Sequence, residues 1–79
     1  MSNNITVRPI AGDALLCELN GWKVGDILIG NEGAGYTIIM ITAIGERYIL
    51  ARELVSNGYV SNAEEGHWTL SCRDWKKLS

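Results

Sequence analysis

The stretch YTIIMITAI, residues 36–44, constrains the fold more than any other. It is rich in β-branched and apolar residues, which predicts a strand. Alternation along a strand sets Ile38, Met40, Thr42 and Ile44 on one side and Ile39, Ile41 and Ala43 on the other. Antiparallel strands commonly turn polar residues toward water on one face. A strand apolar on both faces is expected to be covered on both, and so to lie centrally.

Glycine punctuates the rest. Gly21, Gly25, Gly30, Gly33, Gly35, Gly45, Gly58 and Gly66 cut the chain into strand-length pieces, a density that helices rarely tolerate. Gly45-Glu46 suits a two-residue type II′ turn. RYILARELVS, residues 47–56, then returns antiparallel, with Tyr48, Leu50 and Leu54 on one face and Arg47, Ile49 and Glu53 on the other. Asn57-Gly58 is the strongest local signal, because both residues tolerate the positive φ of a type I′ turn. That turn places Val55 opposite Val60. NAEEG leads on to a short strand, HWTLS, residues 67–71.

In the first half, WKVGDILIG predicts a strand from Lys23 to Ile29, with Gly25-Asp26 as a bulge or bend at its start. Earlier residues admit two readings. ITVRPI and ALLCEL form a hairpin across Ala11-Gly12-Asp13, or DALLCEL forms a single helical turn capped by Asp13.

Seventy-nine residues make one domain, 1–79, with 1–21 as an N-terminal hairpin or arm and 22–79 as the core meander. A hydrophobic share of 47% with 20% charged residues rules out a disordered chain. The net charge of −2 gives no global case for nucleic-acid binding. Residues 1–66 carry four basic and eight acidic side chains, whereas 67–79 carry three basic and one acidic, so a cationic corner is confined to the tail. The start, MSNN, lacks the basic and apolar leader of a secreted protein. The run YTIIMITAIG has about half the length a membrane-spanning helix needs. These features predict a soluble protein of a reducing cytoplasm, with Cys17 and Cys72 as free thiols rather than a disulfide. Two cysteines and one histidine do not complete a structural zinc site without carboxylate help, and no metal or cofactor is assigned.

Five or six short strands, one of them apolar on both faces, predict a mainly all-β fold, a small antiparallel meander curled into a partly open barrel. The layout resembles SH3-like barrels. On that pattern SCRDW is a short helical turn near the C-terminus with Ser71 as its cap, KKLS is the closing strand, and Leu78 pins the end. A shared layout implies no activity.

No constellation predicts catalysis. GNEGAG has the glycines of a phosphate loop but is followed by a strand, lacks Gly-Lys-Ser/Thr and carries the repelling Glu32. Its reading is a strand connection, with a ligand or nucleotide site at loop 30–35 as the alternative. His67 has no Ser, Cys or Asp at a recognisable spacing. Cys72 lies next to Arg73, which would lower a thiol pKa, yet it reads as a small buried apolar residue. Three tryptophans and three tyrosines supply the bulk that phenylalanine would otherwise give. At least two tryptophans are expected in the core, with Trp22 or Trp75 the more exposed. Trp22, Tyr36, Arg73 and Trp75 are the candidate partner-binding residues, since aromatics and arginine dominate binding hot spots. Arg47, Arg52, Lys76 and Lys77, with Arg73 beside them, are the candidate nucleic-acid contacts, a less favoured reading.

WKVGDILIG, ITAIGERYILAR and EGHWTLSCRDWKKL resemble a group of small uncharacterised proteins encoded by tailed bacteriophages and prophages. Those proteins share a W-x-x-G-D start, an ITAIG hairpin and an ending close to W-T-L-x-x-R-D-W. The resemblance covers residues 22–78 and implies a phage accessory role with no chemistry attached. The expected function is a non-catalytic binding module, not an enzyme. Its partner is a host or phage protein, or a second copy joined through an open sheet edge.

Overall fold

The computed structural model of the chain describes residues 8–31, 35–70 and 74–78. A helix, α1 (Gly12–Asn20), precedes strands β1 (Ile27–Asn31), β2 (Tyr36–Ile44), β3 (Ile49–Ser56), β4 (Tyr59–Val60), β5 (Gly66–Trp68) and β6 (Asp74–Lys77). They form one antiparallel, open sheet in the order β4-β3-β2-β1-β6, with β5 also pairing β3. β4 meets Val55 and Ser56, and β5 meets Ile49 to Ala51. Both therefore line the edge of β3 that faces away from β2. The last strand lies beside the first, so the tail finishes the sheet.

β2 is the central strand, with the boundaries its sequence predicts. One of its faces is the core. Thr37, Ile39 and Ile41 are buried there with Leu28, Ile49, Ala51 and Trp75, beneath Ala14 and Cys17 of α1 and Leu70. Burying each large aliphatic side chain contributes about 1.5–3 kcal/mol, which a chain of this size needs. Asn57 and Gly58 have φ of 51° and 84°, and Val55 pairs with Val60, as the Asn-Gly turn requires.

Gly12–Asn20 is a helix rather than one arm of a hairpin, and residues 5–7 of the expected partner ITVRPI lie outside the described residues. No side chain caps the helix, and Asp13 does not serve as its N-cap. Main-chain carbonyls of the β2–β3 loop do that work instead. Ile10 and Ala11 N–H donate to the Glu46 carbonyl at 2.8 and 3.3 Å, and Ala14 N–H donates to the Arg47 carbonyl at 3.3 Å. Gly12 has φ of 62°, and a Cβ there would come 2.6 Å from the Arg47 oxygen. Only glycine fits that position. Asp13 Oδ1 instead accepts the Leu70 N–H at 2.9 Å, tying α1 to the C-terminal segment.

Other local readings are corrected. Ile44 pairs with Ile49, so the β2–β3 loop runs over Gly45–Tyr48 instead of a two-residue Gly45-Glu46 turn, and Gly45 N–H donates to the Tyr48 carbonyl at 2.9 Å. β3 carries an extra residue opposite the Ile38–Ile39 step, which interrupts the simple face alternation at Leu54. β1 starts at Ile27, because Lys23–Asp26 is a turn closed by Asp26 N–H to the Lys23 carbonyl at 3.0 Å. The strand expected over 67–71 is Gly66–Trp68. Leu70, beyond it, is nonetheless buried. Of the helical turn expected over SCRDW, residues 71–73 lie outside the described residues, while Asp74 and Trp75 belong to β6. Leu78 does not pin the end, since it is 55% exposed.

Candidate functional site

Trp22 owes its place to the way α1 ends. Gly21 takes the left-handed conformation at φ 73°, its N–H donates to the Glu18 carbonyl at 3.1 Å, and Trp22 N–H donates to the Cys17 carbonyl at 2.8 Å. This paired closure of a helix C-terminus needs glycine at the reversing residue. It leaves the Trp22 indole half-buried against the core, with a surface depression on each side. One, of about 310 Å³, is lined by Pro9, Glu18, Gly21, Lys23, Val24 and Ile44. The other, of about 390 Å³, is lined by Leu16, Asn20, Asp74, Trp75 and Lys76. Trp22 lines both, so it forms a ridge within one surface region that has an apolar floor and mixed charges at its rim.

Trp75 has a different role from the one its sequence position suggests. It is 8% exposed, sits across from Gly30, and meets Trp68 edge-on with ring centroids 6.1 Å apart. It floors the second depression as a core residue and is not an exposed corner. Tyr36 is 41% exposed and lines neither of the depressions that Trp22 lines. It shares a separate depression of about 360 Å³ with Ile29, Asn31, Asp74 and Lys76. Arg73 and Cys72 lie outside the described residues, as do Glu32, Gly33 and Ala34 of the glycine-rich loop.

The candidate nucleic-acid contacts do not converge. Arg47 stands in the loop that caps α1, Arg52 is in mid-β3, and Lys76 is on β6. Lys77 Nζ lies 3.6 Å from Asp26 Oδ2. Among the described residues, nothing makes a continuous basic track along which a phosphate backbone would run.

The reactive groups are equally scattered. His67 meets the ring of Tyr48 edge-on at 5.0 Å. Burial, with the Asp13 carboxylate adding to it, pushes the Cys17 thiol up to about 11. Cys17 is a free, buried thiol, which at neutral pH is protonated and a poor nucleophile. Among the described residues no group of three or more His, Cys, Asp and Glu side chains could hold a metal ion. Among them, too, no helix is long and apolar enough to cross a membrane.

A second surface went unassigned in the sequence. The register sets Ile29, Ile38, Val55 and Val60 in one cross-strand row, with Lys76 next to Ile29. Ile27, Met40 and Arg52 form the row beside it, and Leu78 N–H donates to the Ile27 carbonyl at its end. These rows lie on the sheet face opposite the buried Leu28, Ile39 and Ile41. The signal was present in YTIIMITAI, whose second apolar side is this one.

The model of a family described as a domain of unknown function, DUF7241, matches residues 11–79. The chain belongs to this family. No curated protein matches it, and no solved structure does. The DUF7241 match begins at Ala11, the residue before α1, so the family region takes in the helix, the strands and all of the Trp22 surface except Pro9.

Proposed function

We propose that this DUF7241 domain is a non-catalytic binding module, an accessory protein of a bacteriophage or prophage. It acts on a protein of the host or of the phage itself in the bacterial cytoplasm. The observation that carries the reading is the half-buried Trp22 ridge with an open depression on either side. A large aromatic in that setting offers contact area at low cost in side-chain entropy. The scattered titratable groups and the protonated Cys17 favour binding over catalysis. The sequence resemblance to small phage and prophage proteins supplies the setting. The dispersed cations make nucleic acid the weaker reading.

Affinity capture from bacterial lysate, with the tagged wild-type chain beside Trp22→Ala, tests this. A specific protein retained by the wild type and lost with a folded Trp22→Ala variant is the expected result. Equal retention by both would remove Trp22 from the account. Salt-sensitive retention of nucleic acid instead of protein would replace the reading.

A further inference from the structure

The sheet has two faces, and α1 occupies one. On the other, Ile29, Ile38, Val55 and Val60 make a continuous apolar row across four strands, beside the row of Ile27 and Met40. A sheet face that meets water ordinarily carries threonine and charged residues there. Val60 is 84% exposed, and Ile27, Ile29, Ile38, Met40 and Val55 are each half-buried, while none of them belongs to the core cluster beneath α1.

We propose that this outer face is covered by the same face of a second copy, giving a two-fold dimer in which two sheets stack. The charges favour a copy of this chain over a foreign partner. The rows through Tyr36, Ile38 and Met40 cross three, five and four strands, and with strands about 4.8 Å apart and rows about 6.8 Å apart they span about 400 Å². A standard interface takes about 800 Å² from each partner, so the face fits a weak, reversible dimer.

The charges are self-complementary. Arg52 pairs with Met40 and so points to this face, at one corner of the patch. Asp74 pairs with Asn31 and sits at the opposite corner, beyond Tyr36. A two-fold axis between Ile29 and Ile38 brings Arg52 of each copy over Asp74 of the other. Residue i meets j and j meets i, as an isologous interface requires. On this lattice the strands of the two copies cross near a right angle, one of the two ways in which sheets pack. Lys76 lays its aliphatic stem toward Met40 of the second copy and keeps its ammonium group in water. His67 stays at the rim with Tyr48. Asp74 and Lys76 also line one of the two depressions beside Trp22, so the dimer shares that rim, whereas the depression lined by Pro9, Glu18, Gly21, Lys23, Val24 and Ile44 uses none of the residues named for this interface.

Sedimentation equilibrium of the full chain tests the dimer, with melting curves to show that each variant folds. The wild type is expected to dimerise reversibly, with a Kd of about 10–100 μM. Arg52→Glu and Asp74→Arg are each expected to weaken the dimer about tenfold, because each breaks two pairs and adds repulsion. The double charge swap restores affinity to within about threefold of wild type. Ile38→Lys gives a folded monomer. A wild type that stays monomeric up to about 1 mM overturns the proposal. So does a dimer indifferent to the charge reversals, or an outer face that only a foreign protein covers.

Discussion

Trp75 covers Gly30 so closely that a Cβ added there would lie 2.8 Å from the indole ring. The two are cross-strand partners on β6 and β1, and the contact is what seats the last strand on the first. Gly30→Ala forces the ring out of its place and is expected to cost about 1–3 kcal/mol, as overpacking does. Trp75→Ala leaves a cavity and costs more, about 3–5 kcal/mol. Urea unfolding followed by circular dichroism measures both, and a Gly30→Ala variant as stable as wild type would contradict the contact.

Two glycines with positive φ separate conformational strain from lack of room. Gly12 has φ of 62° and faces the Arg47 carbonyl, whereas Gly21 has φ of 73° with nothing within 4 Å of an added Cβ. Gly21→Ala therefore carries only the left-handed penalty, about 1–2 kcal/mol. Gly12→Ala adds a steric clash and is expected to cost clearly more. Thermal melts of the two variants give the order, and the reverse order would show that the β2–β3 loop does not cap α1.

The Asp13–Leu70 bond is expected to hold the C-terminal segment to the helix. Asp13→Ala leaves the part-buried Leu70 N–H without its carboxylate acceptor, at a cost of about 1.5–3 kcal/mol. Amide hydrogen exchange should quicken at Leu70. Unchanged exchange there would remove this tie from the account.

Cys17 gives the protein an alkaline limit. Its thiol titrates at about 11 in the fold against 9.0 for the ordinary group, burial being the main cause and Asp13 the second. Because the folded pKa is the higher, the unfolded chain loses its proton first as pH rises. The stabilisation is complete below pH 9 and is lost through pH 11, in total about 2–3 kcal/mol. Comparing wild type with Cys17→Ala from pH 8 to 11 isolates it from other groups. Parallel stability curves would contradict the burial of this thiol.

What the sequence disclosed follows from how local each cause is. The extent of β2 and the Asn57-Gly58 turn are written in adjacent residues, and both are found as read. α1 is ambiguous in the sequence because its N-terminal cap comes from Glu46 and Arg47, more than thirty residues away. The exposure assigned to Trp75 failed for the same reason. A tryptophan among lysines reads as surface unless its cross-strand neighbour is known to be a glycine with room above it. Of the candidate binding residues, Trp22 stays at an open surface because Gly21 reverses the chain just before it. Tyr36 and Trp75 are separated from each other by the sheet itself, Tyr36 facing outward and Trp75 inward. The apolar outer face was legible as a pattern in YTIIMITAI, but what covers it was not, because a second copy leaves no extra mark on a single chain.

That cover is the central claim, and methyl NMR with a soluble paramagnetic agent tests it most directly. At concentrations well above the dimer Kd, the methyl groups of Ile38 and Met40 should be sheltered from the agent, and dilution should expose them. Ile39 and Ile41, buried in the core, should be sheltered throughout. Relaxation of the Ile38 and Met40 methyls that stays strong and independent of protein concentration would contradict the claim.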